Sequence, residues 1–132
     1  MYATCDKQSR CQKRLAEHEG PKTWRVDTYT VNGTDSLQWV KDSILNCESF
    51  RLDFYGAWAK SSYNTIRYYD DCGSDVWTEG RWSMDNCNTL WMRVQYDSIS
   101  LFEKTWQLEK LKKTEIDLIS QEGDKEYVLK LR

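Results

Sequence analysis

The chain holds one proline, one histidine and six glycines in 132 residues. Without proline-rich or repetitive stretches it has no extended linker and no low-complexity arm. The single histidine, His18, stands in a polar stretch with no nucleophile motif nearby, so it reads as a solvated residue and not as a general base. No apolar run approaches the length that crosses a bilayer as a helix. Basic residues are not clustered or interleaved with aromatics, and the formal net charge is -2, which argues against a nucleic-acid partner. The sequence has no G-x-S-x-G, H-E-x-x-H, P-loop or G-x-G-x-x-G. Asp70 and Asp71 are adjacent on an extended segment, so they face opposite ways and make no carboxylate dyad. Asp70–Asp75 offers oxygens without the alternation of a calcium loop. No catalytic residue, metal ligand or cofactor is therefore expected.

Aromatic rings and cysteines are what the chain does have. Seven Trp and eight Tyr are enough to build the core of one small domain, because each ring buries a large area. The five cysteines are Cys5, Cys11, Cys47, Cys72 and Cys87, and no two sit at zinc-site spacing. The polar neighbours Asp71, Asp85 and Asn86 make Cys72 and Cys87 poor buried thiols, which points to an oxidising compartment. Cys5 precedes the patterned region and is the odd one out. The other four make two disulfides, for which three connectivities exist. Cys72 with Cys87 is the pairing expected first; the alternative joins each of them to Cys11 or Cys47.

Two regions follow from the pattern. Residues 1–20 form a polar tether and a short helix over Cys11–Glu19, ended by Gly20 and Pro21. Residues 21–132 switch to period two. Arg25–Val31 reads as a strand closed by the turn Asn32-Gly33. Ser36–Asn46 places Leu37, Val40 and Ile44 at helical spacing. Ser49–Tyr55 alternates, with Phe50, Leu52 and Phe54 on one face and Arg51 and Asp53 on the other. Further strands are expected at Tyr63–Tyr69, Val76–Met84, Thr89–Tyr96, Thr105–Leu111, Thr114–Ser120 and Glu126–Leu131. Gly80, inside a strand, marks a bend or a close approach of another backbone. The total is about eight strands joined mostly by short turns, which suits an all-β, antiparallel, up-and-down barrel; a β-sandwich is the other architecture with this period.

Several short segments carry a resemblance: Cys5-Asp6-Lys7; Lys22–Val26 with Val31-Asn32-Gly33; Phe50–Phe54; the "G-x-W" of Gly80-Arg81-Trp82; and Trp106–Leu111 followed by Lys113–Leu118. With these the chain resembles the lipocalin-like lipoproteins of Bacteroidetes over nearly its whole length, although Met1-Tyr2-Ala3-Thr4 departs from a lipobox. The resemblance implies an eight-stranded lipocalin-like barrel in the bacterial cell envelope, held at the outer membrane by an acylated Cys5. Residues 6–10 would then be a flexible spacer.

The tryptophans invite two readings, core filling or the lining of a cavity. Trp82, Trp91, Met92 and Trp106 are the candidate cavity or partner surface; Trp91 is out of phase with Leu90, Met92 and Val94 and so faces outward. Asp35-Ser36-Leu37, Asp42-Ser43-Ile44 and Asp97-Ser98-Ile99 look like Asp-Ser-apolar O-glycosylation acceptors, with Ser36, Ser43 and Ser98 as candidates; helix capping and turn chemistry is the other use of such tripeptides. The function expected is non-catalytic: a lipoprotein that binds a small apolar ligand or serves as an accessory subunit of an envelope protein complex. The alternative is a hydrolase using carboxylates in the barrel mouth. It would need a convergent set of inward polar residues, which the sequence does not display.

Overall fold

A computed structural model of the chain describes residues 7–16, 21–56, 64–73 and 78–132. His18 and Cys5 lie outside the described residues. The protein is mostly β, a curled antiparallel half-barrel of ten strands with short helical segments. The strands are β1 (Lys22–Trp24), β2 (Val26–Val31), β3 (Thr34–Asp35), β4 (Phe50–Tyr55), β5 (Thr65–Asp70), β6 (Glu79–Asp85), β7 (Thr89–Tyr96), β8 (Ile99–Leu111), β9 (Ile116–Glu122) and β10 (Lys125–Leu131). Their order in the sheet is β1-β4-β5-β6-β7-β8-β9-β10-β2-β3.

Eight strands were expected from alternation, and the two additional ones have local causes. Asn32 and Gly33 both take positive φ, 51° and 79°, which makes the tight hairpin turn whose twist matches its strands. It folds the two-residue β3 back onto Val31 and Thr30. At Arg25 the chain changes partners. β1 pairs with β4 and β2 pairs with β10, so consecutive segments lie toward opposite ends of the strand order. Arg25 itself exchanges two 2.9 Å backbone hydrogen bonds with Arg132.

The core lies on the concave face. Phe50, Leu52 and Phe54, then Leu90, Met92 and Val94, and Ile116 with Leu118 are buried as the alternation predicts. Trp24 and Trp106 are fully buried, and each satisfies its indole N–H on a carbonyl: Trp24 donates to Leu15 (2.8 Å) and Trp106 to Phe102 (3.0 Å). Gly80 is where another backbone comes close: a Cβ built there would overlap the carbonyl oxygen of Arg93.

The curled sheet has two rims, each covered by a helical segment. Helix α1 (Lys7–Leu15) covers one. It starts at Lys7, so the residues from Lys7 to Arg10 that read as flexible spacer are helical. Arg14 Nη1 donates to the Leu111 carbonyl at 2.9 Å, and Lys22 Nζ donates to the Arg14 carbonyl at 2.8 Å. The other rim is covered by a short helix α2 (Leu37–Val40) that widens into one π-helical turn over Lys41–Leu45. Asn46, at φ 51°, ends it in the left-handed conformation that asparagine tolerates. Leu37, Val40 and Leu45 are its buried face.

Each cover is tied down by a disulfide. Cys11–Cys87 joins α1 to the β6–β7 turn, and Cys47–Cys72 joins the end of the π turn to the segment after β5. Two bridges exist as expected, but the pairing of Cys72 with Cys87 is corrected. Strand β6 runs from one rim to the other between those residues, a length of about 20 Å for a seven-residue strand, whereas a disulfide needs its Cα atoms within about 7 Å.

Candidate functional site at the α2 rim

The two rims differ in what they expose. Among the described residues the large hydrophobic side chains that stand exposed are Trp39, Tyr69 and Ile99. Trp39 lies on α2, Tyr69 near the end of β5 and Ile99 at the start of β8, and the antiparallel order of the strands puts all of these at the α2 rim. Trp39 is the extreme case, 61% exposed. Its helix turns Leu37 and Val40 inward, so the third face must carry Trp39 outward.

Below that rim the concave surface is not uniformly apolar. Tyr68 stacks with Phe50 (centroids 5.6 Å) and meets Tyr96 edge-on (5.1 Å). Its hydroxyl donates to Asp70 Oδ2 at 2.6 Å, and Tyr96 donates to the Leu45 carbonyl at 3.2 Å. Burial, and then the bond to Asp70, push the Tyr68 hydroxyl pKa far above its ordinary value. Across the sheet, Lys104 lies opposite Met92 and is 14% exposed; its Nζ is 2.7 Å from Glu122 Oε1 and 3.8 Å from the Tyr127 ring centroid. Tyr29 packs edge-on against Phe102 at 5.0 Å. Its pKa is raised by burial, then by Tyr127 and Glu122. Inward polar groups thus exist at this rim, although alternation did not reveal them. Asp70 and Glu122, the carboxylates among them, are each already engaged.

The residues expected to form a cavity or partner surface separate. Trp82, Met92 and Trp106 are buried members of one hydrophobic core, with Trp82 Nε1 donating to the Tyr55 carbonyl at 3.0 Å. Trp91 is half-buried on the convex side, opposite Ser83 and Thr105 in register. Of the acceptor tripeptides, Ser43 and Ser98 are exposed. Ser36 is half-buried, its Oγ donating to the Thr34 carbonyl at 3.2 Å and its N–H to Tyr29 at 2.8 Å. Asp53 shares the face opposite Phe50, Leu52 and Phe54 with Arg51, as expected, and yet is buried there, accepting from Thr23 Oγ1 at 2.8 Å and pairing with Arg51 Nε at 3.3 Å. Strand β1 covers it, a partner that periodicity within β4 cannot show.

One cluster has the residue types of a metal site: Cys47, Asp70 and Cys72 place their ligand atoms within 4.8 Å of one another. Both sulfurs are spent in the disulfide, and a disulfide sulfur is not the thiolate that binds zinc. Asp70 also accepts the Cys72 N–H at 3.0 Å, so its place there is explained by the turn. No helix among the described residues is long and apolar enough to cross a membrane. Compared with protein-family models, with curated proteins and with solved structures, the chain finds no match.

Proposed function

We propose that this protein is a non-catalytic accessory subunit of an envelope protein complex, a lipocalin-like barrel that docks its partner through the α2 rim. The observation that carries this reading is the gathering of Trp39, Tyr69 and Ile99 at one rim. Exposed aromatic side chains on a rigid frame are the usual anchors of protein interfaces. The frame here is rigid because Cys47–Cys72 ties the helical cover to the sheet. The packed core favours a protein partner over a small apolar ligand: Trp24, Trp106, Phe54 and Met92 fill the concave side, where a carrier would keep a cavity of about 300 Å³ or more.

Support for the eight-stranded barrel comes from Arg25. Counted as one bent strand, Lys22–Val31 pairs with β4 on one side and β10 on the other, which brings the strand order back to its start. The anchor at Cys5 belongs to the same reading. Cys5 stands two positions before the start of α1, so acyl chains would hold the molecule on the α1 side and leave the α2 rim to a partner. Two or more chains are needed for durable attachment, at about 0.8 kcal/mol per buried methylene. Expressed from its natural gene, the protein partitions into detergent, and Cys5→Ser moves it to the aqueous phase. A photo-reactive residue at position 39 then cross-links an envelope protein in intact cells, whereas one at exposed Glu109 does not. Equal labelling from both positions, or a fully aqueous wild type, contradicts the corresponding half of the reading.

A further inference from the structure

A cleft of about 190 Å³ opens where the β1–β2 junction meets the π-helical turn, lined by Arg25, Val26, Lys41, Glu48, Ser49 and Phe50. Val26 and Phe50 are buried and give it an apolar side. The Arg25 guanidinium is held in place by one nitrogen: Nη1 donates to the Phe50 carbonyl at 3.0 Å and to Ser49 Oγ at 3.3 Å. A guanidinium has five N–H donors, so most of its capacity is left for something else. The Lys41 side chain is only 20% exposed, yet its charged neighbour is Glu48, with Nζ 3.9 Å from Oε1, beyond hydrogen-bond length. Glu48 is 70% exposed and gives its other oxygen to Gln38 Nε2 at 2.9 Å. Two cations therefore share a concave site with one loosely engaged carboxylate, and the cleft carries a net positive charge. A small anion seated between the two cations would meet charge-assisted donors on both sides.

We propose that this cleft binds a small monocarboxylate carrying a short aliphatic group. The carboxylate sits with Arg25 and Lys41, and the aliphatic part lies against Val26 and Phe50. One added negative charge balances the two cations and Glu48. A zwitterion does this less well, since its ammonium would face the same two cations. The cleft is smaller than the usual range for drug-sized ligands, about 300–1,000 Å³, so the aliphatic part has to be compact. A backbone N–H map recorded by NMR during titration with isobutyrate tests this on the whole protein, independently of any protein partner. Saturable shifts confined to residues near 25, 41 and 48–50 are expected, with weaker shifts for L-valine and none for isobutyramide, the uncharged isostere. Lys41→Gln, which keeps the stem, weakens isobutyrate binding about tenfold, with its melting temperature unchanged as the check on folding; Glu48→Gln strengthens it. Absence of saturation, equal binding of isobutyramide, or full affinity in a folded Lys41→Gln protein overturns the proposal.

Discussion

The α1 rim and the α2 rim are built alike and expose different surfaces. Each is covered by a helical segment tied to the sheet by one disulfide. At the α1 rim the cover is stitched in by its own backbone: the carbonyls of Arg14 and Leu15 accept from Lys22 and Trp24. Leu15 and Ala16 are fully buried. At the α2 rim the cover is short, it widens into a π turn, and it leaves Trp39 in solvent. π-helical turns concentrate at functional sites because they place side chains where a regular helix would not. The difference teaches that closure and display are separate tasks, and that a disulfide serves either one.

The largest expected effects come from cutting the two staples in turn. Cys11→Ser with Cys87→Ser opens a loop of 76 residues, worth about 4.5 kcal/mol in the loop-entropy relation. Cys47→Ser with Cys72→Ser opens one of 25, worth about 3.5 kcal/mol. Urea unfolding measures both. The second pair should also speed hydrogen exchange over α2 and the π turn ahead of global unfolding, because fewer other bonds hold that cover.

A tryptophan from each rim sharpens the contrast. Trp24→Ala removes a fully buried ring and orphans the Leu15 carbonyl, and should cost about 3–5 kcal/mol. Trp39→Ala should change stability by no more than about 0.5 kcal/mol while abolishing partner cross-linking from a photo-reactive residue placed at Ile99. If Trp39→Ala proved as damaging as Trp24→Ala, the rims would not differ in kind.

Asp53→Ala probes the junction of β1 with β4. It leaves Thr23 Oγ1 and Arg51 without their carboxylate and should cost about 1–3 kcal/mol in urea unfolding. The smallest effect is set by pH at the α2 rim. The Tyr68 and Tyr29 hydroxyls titrate above their ordinary value of 10.0 in the fold, so folding favours their neutral forms. Their contribution is complete below pH 10 and is lost as pH rises through their folded pKa values. Absorbance at alkaline pH should show both tyrosines ionising later than a free tyrosine, and Tyr68→Phe should flatten the fall in stability.

The strands whose partners alternate cleanly were legible from sequence: Phe50, Leu52 and Phe54 share a buried face, as do Leu90, Met92 and Val94. The first half of β8 was not. Leu101 and Phe102 are adjacent and both buried, which period two forbids. A bulge opposite Arg93, with Phe102 at φ 57°, shifts the phase there. Nonlocal features were equally hidden. The cysteine pairing depends on which turns share a rim, and Asp53 is buried by a strand 30 residues earlier. The cleft joins Arg25, Lys41 and Glu48 from three elements, and no spacing within one element signals it. What a periodic reading could have noticed is Trp39, which falls off the stripe of Leu37, Val40 and Ile44 and so had to face outward.

Hydrogen exchange of the protein in the cell envelope proposed for it, compared with the purified protein, bears most directly on the division between the rims. Slowed exchange should appear over residues 37–50 and around the β7–β8 turn at Asp97-Ser98, with none gained over α1 or the β6–β7 turn. Protection gained at the α1 rim instead, or at neither rim, would contradict the account.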